Sequence, residues 1–353
     1  MSDKTIQING GCHTDGTGDG RCVLVIGGAG YIGSVLTRKL LLRGYDVRVL
    51  DKLIYDNGSS IADLVDESNF TFSRGDLCGG ENVDLSLEGA TDVVLLAALV
   101  GDPICKKYPA LARETNETGA MKLFDLLSGR GIDKFVFTST CSNYGLIEDG
   151  EDATEESGLN PQSLYAETKV NFEKYIMGKM DSLDFCPTIL RLSTAFGISG
   201  RMRFDLTVSE FTRELSLGEE LLVYDENTWR PYCHVSDISS AIISVIESPI
   251  ETVRGEVFNV GDNKNNYTKQ MIVDAVLDNL GEGNVTYGES GPDKRNYRVS
   301  FDKIRERLGY STSFSMDGSI LTLIEALKNG LFDDVDSRKF FYGNYSIGSA
   351  GTA

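Results

Sequence analysis

Apolar residues along the chain form two patterns that alternate, short apolar segments and longer stretches of helical periodicity. The short segments predict strands, several of them buried on both faces, at residues 23–26, 46–50, 70–73, 93–98, 135–140 and 188–192. The periodic stretches predict helices, at residues 32–43, 109–127, 163–180, 208–216, 237–246, 268–279, 302–308 and 316–329. This alternation predicts an α/β fold, a doubly wound parallel sheet with helices on both faces.

The alternation weakens in the second half of the chain, so we expect two units. Residues 22–194 are predicted to form the main domain, and residues 195–332 a smaller interleaved α/β lobe with some elements returning to the main sheet. Residues 1–21 are polar, glycine-rich and aperiodic, which predicts a disordered leader. Residues 333–353 show no packing pattern. Three aromatic side chains there are candidates for docking on the body, Phe340, Phe341 and Tyr342.

Three glycines follow the first strand at a spacing typical of dinucleotide binding. Gly27 permits a tight turn, Gly30 lets backbone N–H groups approach a pyrophosphate, and Gly33 allows close packing of helix on strand. The next helix begins here, and a helix N-terminus favours a phosphate. Asp51 ends the next strand eighteen residues after Gly33, close to the spacing of about 20 at which an acid binds an adenosine ribose. An ordinary strand–turn–helix corner is the alternative, which the combined strand, helix and acid disfavour.

The charge balance argues against some classes of partner. The chain has 34 Lys and Arg against 53 Asp and Glu, a net charge of −19, which disfavours nucleic acid or an anionic membrane as the main partner. An anionic substrate therefore needs a local basic site. The longest apolar run, residues 93–100, is too short to span a membrane. Residues 1–10 lack a signal pattern, so the cytoplasm is the expected compartment.

The seven cysteines and two histidines offer little metal or nucleophile chemistry. The cysteines are odd in number and include no CxxC pair, which favours reduced thiols over a disulfide framework or a zinc site. His13 lies in the glycine-rich leader, so we expect neither a Ser-His-Asp triad nor a multi-histidine metal site. His234 lies in an apolar segment, where a packed histidine is favoured over a base.

Tyr165 and Lys169 are the candidates for acid–base chemistry. They are four residues apart on a predicted helix, so their side chains lie one turn apart on one face. An unperturbed tyrosine has a pKa of about 10, and a nearby ammonium favours the phenolate, which is a general base near neutral pH. Thr140 ends a buried strand twenty-five residues earlier, where its hydroxyl can share the proton. Two solvent-facing helix residues are the alternative.

In combination, these segments resemble an extended short-chain dehydrogenase/reductase of the nucleotide-sugar epimerase/dehydratase kind over residues 23–330. GGAGYIGS resembles the Rossmann-type cofactor loop of that family, although Ile26 stands where threonine is usual. TSTCSNYG and the Tyr-x-x-x-Lys pair resemble its catalytic segments. RPYCHVSD and DKRNYRVS resemble its segments that contact the substrate diphosphate. The resemblance implies a Rossmann-type fold, NAD as cofactor and a homodimer.

The resemblance also implies roles for individual residues. NAD would contact Gly27, Gly30, Tyr31, Ile32, Gly33, Asp51, Lys52, Asp76, Leu77, Ala97, Ala98, Asn116, Tyr165 and Lys169. The catalytic group would be Thr140, Tyr165 and Lys169. The substrate would contact Thr140, Thr194, Arg203, Arg230 and Arg295. Many members carry a phosphate-contacting asparagine at the position of Thr194. In DKRNYRVS the register is open among Lys294, Arg295 and Arg298. Arg201 and Arg203 form either a solvated loop or a substrate clamp.

The function that the resemblance implies is NAD-dependent 4-epimerisation of a nucleotide-diphosphate sugar. Tyr165 would remove the proton of the sugar C4 hydroxyl as hydride passes to NAD, and hydride would return to the other face. A 4-dehydrogenase or 4-ketoreductase, in which hydride does not return to the same molecule, stays open as an alternative. A noncatalytic NAD-sensing regulator is a second alternative, which the retained Thr140, Tyr165 and Lys169 disfavour.

Two further expectations concern residues near the catalytic group. Family members that are 4,6-dehydratases carry an Asp-Glu pair directly after the catalytic threonine, whereas this chain has Cys141 and Ser142. A 4,6-dehydratase is therefore not expected. Phe172, Ile176 and Met180 recur at four-residue spacing. They either form part of the homodimer interface or face their own sheet.

We expect NAD to bind more tightly than NADP. The 2′-phosphate of NADP would lie against the carboxylate of Asp51, and the neighbouring Lys52 only softens that repulsion. Calorimetric titration of the protein with the two dinucleotides measures the ratio of their affinities. Tighter binding of NADP would contradict the role assigned to Asp51.

Overall fold

The chain folds around one parallel sheet, with smaller sheets beside it. The structure is a computed structural model and describes residues 20–147, 150–289, 291, 293 and 295–347. The strands are β1 (Cys22–Ile26), β2 (Asp46–Asp51), β3 (Phe70–Arg74), β4 (Asp92–Leu95), β5 (Lys134–Thr140), β6 (Asp152–Ala153), β7 (Cys186–Leu192), β8 (Thr194–Phe196), β9 (Glu220–Tyr224), β10 (Trp229–His234), β11 (Val257–Val260), β12 (Asn266–Thr268), β13 (Asn284–Gly288) and β14 (Arg298–Val299).

Helices connect these strands. They are α1 (Tyr31–Leu42), α2 (Glu81–Leu87), α3 (Asp102–Lys107), α4 (Pro109–Arg113), α5 (Ala120–Leu126), α6 (Leu164–Gly178), α7 (Thr207–Ser216), α8 (Val235–Glu247), α9 (Ile250–Val253), α10 (Lys269–Leu280), α11 (Asp302–Leu308) and α12 (Met316–Lys328). A π-helical turn lies at Glu114–Gly119, and 3₁₀ turns lie at Asn57–Ser60, Ala62–Leu64, Cys141–Tyr144, Met180–Ser182 and Asn263–Asn265.

The main sheet has seven strands in the order β11–β7–β5–β4–β1–β2–β3, and all its pairings are parallel. The chain proceeds from β1 outward through β2 to β3, then returns to the other side of β1 with β4. Such a reversal of strand order opens a crevice at the carboxyl ends of the strands, where ligands bind in doubly wound sheets. The predicted doubly wound α/β fold is confirmed.

The turn after β1 depends on two glycines that leave no room for a side chain. Gly27 has a φ of +91°, and an added Cβ would lie 2.6 Å from the backbone nitrogen of Ala97. An added Cβ on Gly33 would lie 2.2 Å from the Gly27 carbonyl oxygen. The close approach of these backbones places the N-terminus of α1 at the carboxyl edge of the sheet, beside the end of β4.

The second half of the chain adds two small sheets and returns to the large one. The small sheets have the orders β12–β10–β8 and β13–β9, and α7, α10 and α12 pack on one hydrophobic cluster beside them. In contrast, β11 pairs with β7 at the edge of the main sheet, and α8 packs on α1. The longer helices of this half were predicted, namely α7, α8, α10, α11 and α12, whereas α9 and most of the short strands were not. The division of the chain at residue 194 stays a prediction.

Helix boundaries agree with the sequence in one region and differ in another. The predicted helix 316–329 is confirmed as α12, whose N-cap Ser315 accepts a hydrogen bond from the Gly318 backbone N–H at 3.2 Å. The predicted helix 109–127 is instead interrupted by the π-helical turn around Asn116.

The apolar residues of α6 that were considered for a dimer interface face the protein's own sheet. Phe172 and Ile176 are fully buried within one chain, and the ring centres of Phe172 and Phe137 lie 4.6 Å apart. Met180 approaches the backbone of Gly255. The homodimer therefore stays a prediction, and these three residues do not support it.

The C-terminal segment packs on the body through two of the three aromatic side chains that the sequence offered as candidates for docking. Phe341 and Tyr342 are 6% exposed, whereas Phe340 is 43% exposed. The Tyr342 carbonyl accepts a hydrogen bond from the Phe204 backbone N–H at 2.8 Å. Single aromatic anchors without helical spacing give no periodic signal, so the sequence indicated these side chains but no regular element for the segment.

The predicted leader lies outside the described residues, except for its last two positions. There, Arg21 forms a salt bridge with the buried Asp92. His13 also lies outside the described residues. Within the described part of the chain, no helix is both long and apolar enough to cross a membrane.

Phe172→Ala should destabilise the protein by about 3–5 kcal/mol, because it leaves a cavity where an aromatic ring packs on the sheet. Met177→Ala on the same helix is the control, since Met177 is 44% exposed and surface changes stay within about 0.5 kcal/mol. Urea unfolding measures the free energy of unfolding of both variants. Equal midpoints for the two variants would contradict the packing described.

Candidate active site

A cavity of about 630 Å³ lies at the carboxyl ends of the main-sheet strands, where the strand order reverses. Most residues that the sequence analysis selected line it: Gly27, Gly30, Tyr31, Ile32, Gly33, Asp51, Lys52, Asp76, Leu77, Ala97, Ala98, Thr140, Tyr165, Lys169, Thr194, Arg203 and Arg295. Asn116 and Arg230 lie outside its lining. Lys294 lies outside the described residues.

The β1–α1 corner has the features that a dinucleotide requires. Gly30 is the N-cap of α1 and provides no side-chain cap, so the first backbone N–H groups of the helix can bind a phosphate. The carboxylate of Asp51 accepts hydrogen bonds from the backbone N–H groups of Ala29 and Leu53 at 3.0 and 2.8 Å. Burial raises the pKa of Asp51, and these two donors oppose that rise. The glycine cradle and the acid therefore fit a dinucleotide.

Lys52 and Asp76 form the next part of this wall. The Nζ atom of Lys52 lies 3.1 Å from a carboxylate oxygen of Asp76, and the Cys78 backbone N–H donates to Asp76 at 2.9 Å. Although burial opposes it, the Cys78 hydrogen bond and Lys52 together lower the pKa of Asp76. Asp76 therefore draws Lys52 away from the neighbouring Asp51.

Asn116 supports the cavity wall from behind. Its side-chain oxygen accepts from the Leu99 backbone N–H at 2.7 Å, and its amide nitrogen donates to the Leu99 carbonyl at 2.9 Å. Both groups of the side chain are thus used by one residue of the loop after β4. The predicted contact of Asn116 with the cofactor stays a prediction, and the geometry shows a role in fixing that loop.

Thr140, Tyr165 and Lys169 meet in the cavity although they come from different elements. Thr140 ends β5, and the other two lie one turn apart on α6. The Lys169 ammonium donates to the Thr138 carbonyl at 2.8 Å and lies 5.9 Å from the centre of the Tyr165 ring. The Thr140 hydroxyl oxygen accepts from the Ser142 backbone N–H at 3.1 Å.

Burial dominates the electrostatics of this group, which corrects one expectation from the sequence. Loss of solvation raises the pKa of Tyr165 above its ordinary value, and the charge of Arg203 only partly opposes the rise. Burial also lowers the pKa of Lys169 to about 7, against the opposing charges of Cys105 and Glu173. The expected phenolate near neutral pH therefore does not follow from the neighbouring lysine, because both groups lose solvent together.

A buried polar network lies directly behind Thr140, Tyr165 and Lys169. Glu173 is one further turn along α6 and forms a salt bridge of 2.8 Å with Arg191 of β7. Ser139 of β5 donates a hydrogen bond to the same carboxylate, and Asn143 donates to it at 2.9 Å. The network therefore ties α6 to two strands of the sheet at the level of Thr140.

Three further arginines line the cavity, of which Arg201 and Arg203 are buried and Arg295 is half-buried, and all but Arg201 pair with carboxylates. Arg203 pairs with Asp205 at 2.6 Å. Arg295 pairs with Asp293 at 2.7 Å and with Asp102 at 3.1 Å. The exception, Arg201, is only 3% exposed. Arg201 and Arg203 therefore do not form a solvated loop. Their contact with a substrate stays a prediction.

Arg230 lies behind the cavity wall. Its guanidinium is 3.1 Å from a carboxylate oxygen of Asp293 and 5.1 Å from the centre of the Tyr297 ring. Tyr297 and Arg295 line the cavity in front of it. Arg298 instead pairs with Asp152 and is 41% exposed. Of the two arginines in DKRNYRVS, the structure places Arg295 in the cavity wall.

His234 is a packed residue, as predicted. Its Nδ1 atom accepts from the Ser236 backbone N–H at 3.1 Å and caps α8. Its ring stacks on Phe314 with 4.0 Å between ring centres. Burial lowers the pKa of His234 to about 4, so it stays neutral at neutral pH.

The structure adds cavity residues that the sequence analysis did not select: Asp102, Ser142, Asp205, Glu210, Tyr297, Asn344 and Tyr345. Tyr297 lies two residues after Arg295, in a segment whose resemblance could have indicated it. No sequence signal could have indicated Asn344 or Tyr345, because the C-terminal segment has no periodicity and reaches the cavity through long-range contacts.

Comparison with known proteins agrees with this geometry. Residues 23–261 match the model of the NAD dependent epimerase/dehydratase family. Low-salt glycan biosynthesis protein Agl12 of Haloferax volcanii is 30% identical over 311 residues, which are 86% of this chain and 97% of that protein. The dTDP-glucose 4,6-dehydratase of Streptomyces niveus is 29% identical over 315 residues, 86% of this chain and 91% of that enzyme. The solved UDP-glucose 4-epimerase of Thermus thermophilus, a complex with NAD, matches with a TM-score of 0.74 at 26% identity, covering 87% of this chain and 99% of that one.

Lys169→Met should make the protein more stable at pH 7, with an advantage that narrows as the pH rises. The pKa of Lys169 is about 7 in the folded chain, below its ordinary value of 10.5. Between these values the unfolded wild-type chain binds a proton that the folded chain lacks, so wild-type stability rises with pH. Urea unfolding at pH 7 and pH 9.5 measures the difference. The exposed Lys174→Met is the control, with a pH-independent difference. If the free energies of unfolding of Lys169→Met and the wild type differ by the same amount at both pH values, the described burial of Lys169 is contradicted.

Proposed function

Since the chain belongs to the NAD dependent epimerase/dehydratase family, we propose that it is a nucleotide-sugar 4-epimerase that uses NAD. The observation that carries this proposal is the meeting of Thr140, Tyr165 and Lys169 in one cavity with the glycine cradle of the β1–α1 corner. A noncatalytic NAD-binding protein has no need of these three side chains. The residues that would hold NAD are the glycine loop, Asp51 and Lys169.

The roles of the side chains follow from their positions. Tyr165 is the group that takes the proton of the sugar C4 hydroxyl and later returns it. Thr140 lies in the same cavity wall and orients that hydroxyl. Lys169 is held by the Thr138 carbonyl, lies one turn from Tyr165 on α6, and is among the residues that would hold NAD. When bound, NAD supplies the hydride chemistry.

The residues after Thr140 favour an epimerase over a 4,6-dehydratase, although one of the similar proteins is a dehydratase. Cys141 is 1% exposed, and its thiol contacts the Arg191 carbonyl at 3.2 Å, away from the cavity. Burial raises the pKa of that thiol. Ser142 does line the cavity, but a hydroxyl is a poor acid for a leaving hydroxide. The wall thus lacks an acid–base pair at these two positions.

The diphosphate of the substrate is proposed to bind at the wall formed by Arg295 and Tyr297, with Arg230 behind it. Asp293 lies within 3.1 Å of both arginines and orients their guanidinium groups. A diphosphate therefore meets the oriented Arg295 directly, with the charge of Arg230 behind it, in a site that water leaves on binding, where charge-assisted hydrogen bonds are strong. Such short-range contacts can act against the net charge of −19.

The reaction type is tested by incubating the NAD-loaded protein with a panel of nucleotide sugars and analysing the products by mass spectrometry and sugar stereochemistry. An unchanged mass with inverted C4 configuration supports the epimerase. A shift of two hydrogens identifies the 4-dehydrogenase or 4-ketoreductase alternative, and loss of water identifies a dehydratase. No turnover of any sugar by protein that binds NAD would favour the regulator.

Tyr165→Phe should lower kcat by about 10²–10⁴-fold, because it removes the proton acceptor. NAD binding and the unfolding midpoint should stay unchanged. Tyr175→Phe is a matched control, since Tyr175 lies on the same helix and its hydroxyl donates to the surface residue Asp125 at 2.7 Å. Steady-state kinetics and calorimetry measure these effects. Equal turnover by the two variants would rule out the role of Tyr165.

A further inference from the structure

Arg201 is the buried arginine in the cavity wall that has no acidic partner. Its side chain is almost inaccessible, and no carboxylate in the described part of the chain lies within 4.0 Å of its guanidinium nitrogens. Its Nε atom is buried and makes no hydrogen bond to described protein atoms. A buried charge without a counter-charge is costly, so this position requires a compensating reason.

Two acids that act electrostatically on Arg201, Asp205 and Asp51, are occupied by other donors. Asp205 binds the Arg203 guanidinium and also accepts from the Asn344 backbone N–H at 3.1 Å. The Asp51 carboxylate accepts from backbone N–H groups of its own corner. Burial together with the charge of Arg203 lowers the pKa of Arg201 to about 10, so the guanidinium still carries its charge at neutral pH. Arg201 therefore carries a positive charge that no carboxylate in the described part of the chain contacts directly.

The guanidinium is held in place by neutral groups. It lies over the Tyr55 ring, 4.2 Å from the ring centre. Its Nη2 atom donates to the side-chain oxygen of Asn344 at 2.8 Å, with the carbonyl oxygens of Phe340 and Gly343 at 3.4 Å. These contacts fix the group without neutralising it, as a prepared anion site requires.

Asn344 joins three walls of the cavity. Its amide nitrogen donates to the Val100 carbonyl at 2.9 Å, its side-chain oxygen accepts from Arg201, and its backbone N–H donates to Asp205. The loop after β4, the loop after β8 and the C-terminal segment are thereby held together. Asn344 is therefore a positioning residue for Arg201.

We propose that Arg201, held by Tyr55 and by Asn344 of the C-terminal segment, is an oxyanion-binding site of the cavity. Its ligand is an anionic oxygen, either the carboxylate of an acidic sugar or a phosphate oxygen of the nucleotide sugar or of NAD. The carboxylate form rests on the proposed function, since it concerns the sugar of that reaction. Arg203 and Arg295 already have carboxylate partners, whereas the guanidinium of Arg201 contacts no carboxylate of the described residues and is left for a ligand.

The test is calorimetric binding of NAD, UDP, UDP-glucose and UDP-glucuronic acid to the wild type and to Arg201→Gln. The ligand whose anion occupies the site should bind the variant about 10- to 100-fold more weakly, the scale of a charge-assisted hydrogen bond. The control is Arg305→Gln, which removes the same charge from a side chain that is 58% exposed on the surface. It should leave every affinity within twofold.

The pattern of losses identifies the source of the anion. A loss confined to UDP-glucuronic acid assigns the carboxylate of an acidic sugar. An equal loss for UDP and both sugars assigns the substrate diphosphate, and a loss for NAD assigns the cofactor pyrophosphate. The proposal is overturned if every ligand that the wild type binds, NAD included, binds Arg201→Gln within twofold.

Two further variants keep the test decisive if Arg201→Gln does not fold. Arg201→Lys keeps the charge without the planar fork and should lose about 3- to 10-fold for the same ligand. Asn344→Ala frees the guanidinium and should weaken that ligand selectively, whereas a purely structural role would weaken all ligands alike. Because binding is measured without turnover, absence of epimerase activity leaves the result valid.

Discussion

The buried ion pair between Glu173 and Arg191 is the contact on which the arrangement of the cavity depends. Tyr165, Lys169 and Glu173 lie at successive turns on one face of α6, so fixing the last of them fixes the direction of the other two. A buried pair contributes little net stability, but removing one partner costs about 3–5 kcal/mol because the other charge is left buried. The pair therefore specifies how α6 sits on the sheet.

The same network reaches the strand that carries Thr140. Ser139 precedes Thr140 on β5 and donates to Glu173, and neighbouring side chains on a strand point to opposite faces. Ser139 and Thr140 therefore point to different sides of β5, and both line the cavity at its end. Most polar groups of the network bond one another, whereas the side-chain oxygen of Asn143 is buried without a hydrogen-bond partner among the described residues.

The sequence was sufficient for the parts of the site that local pattern determines. The glycine spacing, the acid ending β2 and the Tyr165–Lys169 spacing all depend on contacts within one or two elements, and all of them line the cavity. Asn344 could not be predicted, because its three partners lie far from it along the chain and it follows no periodicity. The raised pKa of Tyr165 was also out of reach, since it comes from burial by several elements rather than from the neighbouring Lys169.

The proposed epimerase must keep its keto-sugar in place between the two hydride transfers while the sugar turns over. Polar contacts join the walls of the cavity, beside an apolar cluster that contains Ile347, Leu99 and Ile104. Arg295 spans to Asp102, and Asn344 spans to Val100, so both contacts hold the loop after β4 to other parts of the wall. Asn344 is buried and Arg295 is largely buried, so opening either contact separates polar groups from their partners at a cost in free energy. The two loop contacts therefore favour retention of the intermediate, while the Glu173–Arg191 pair keeps the wall of Thr140, Tyr165 and Lys169 fixed.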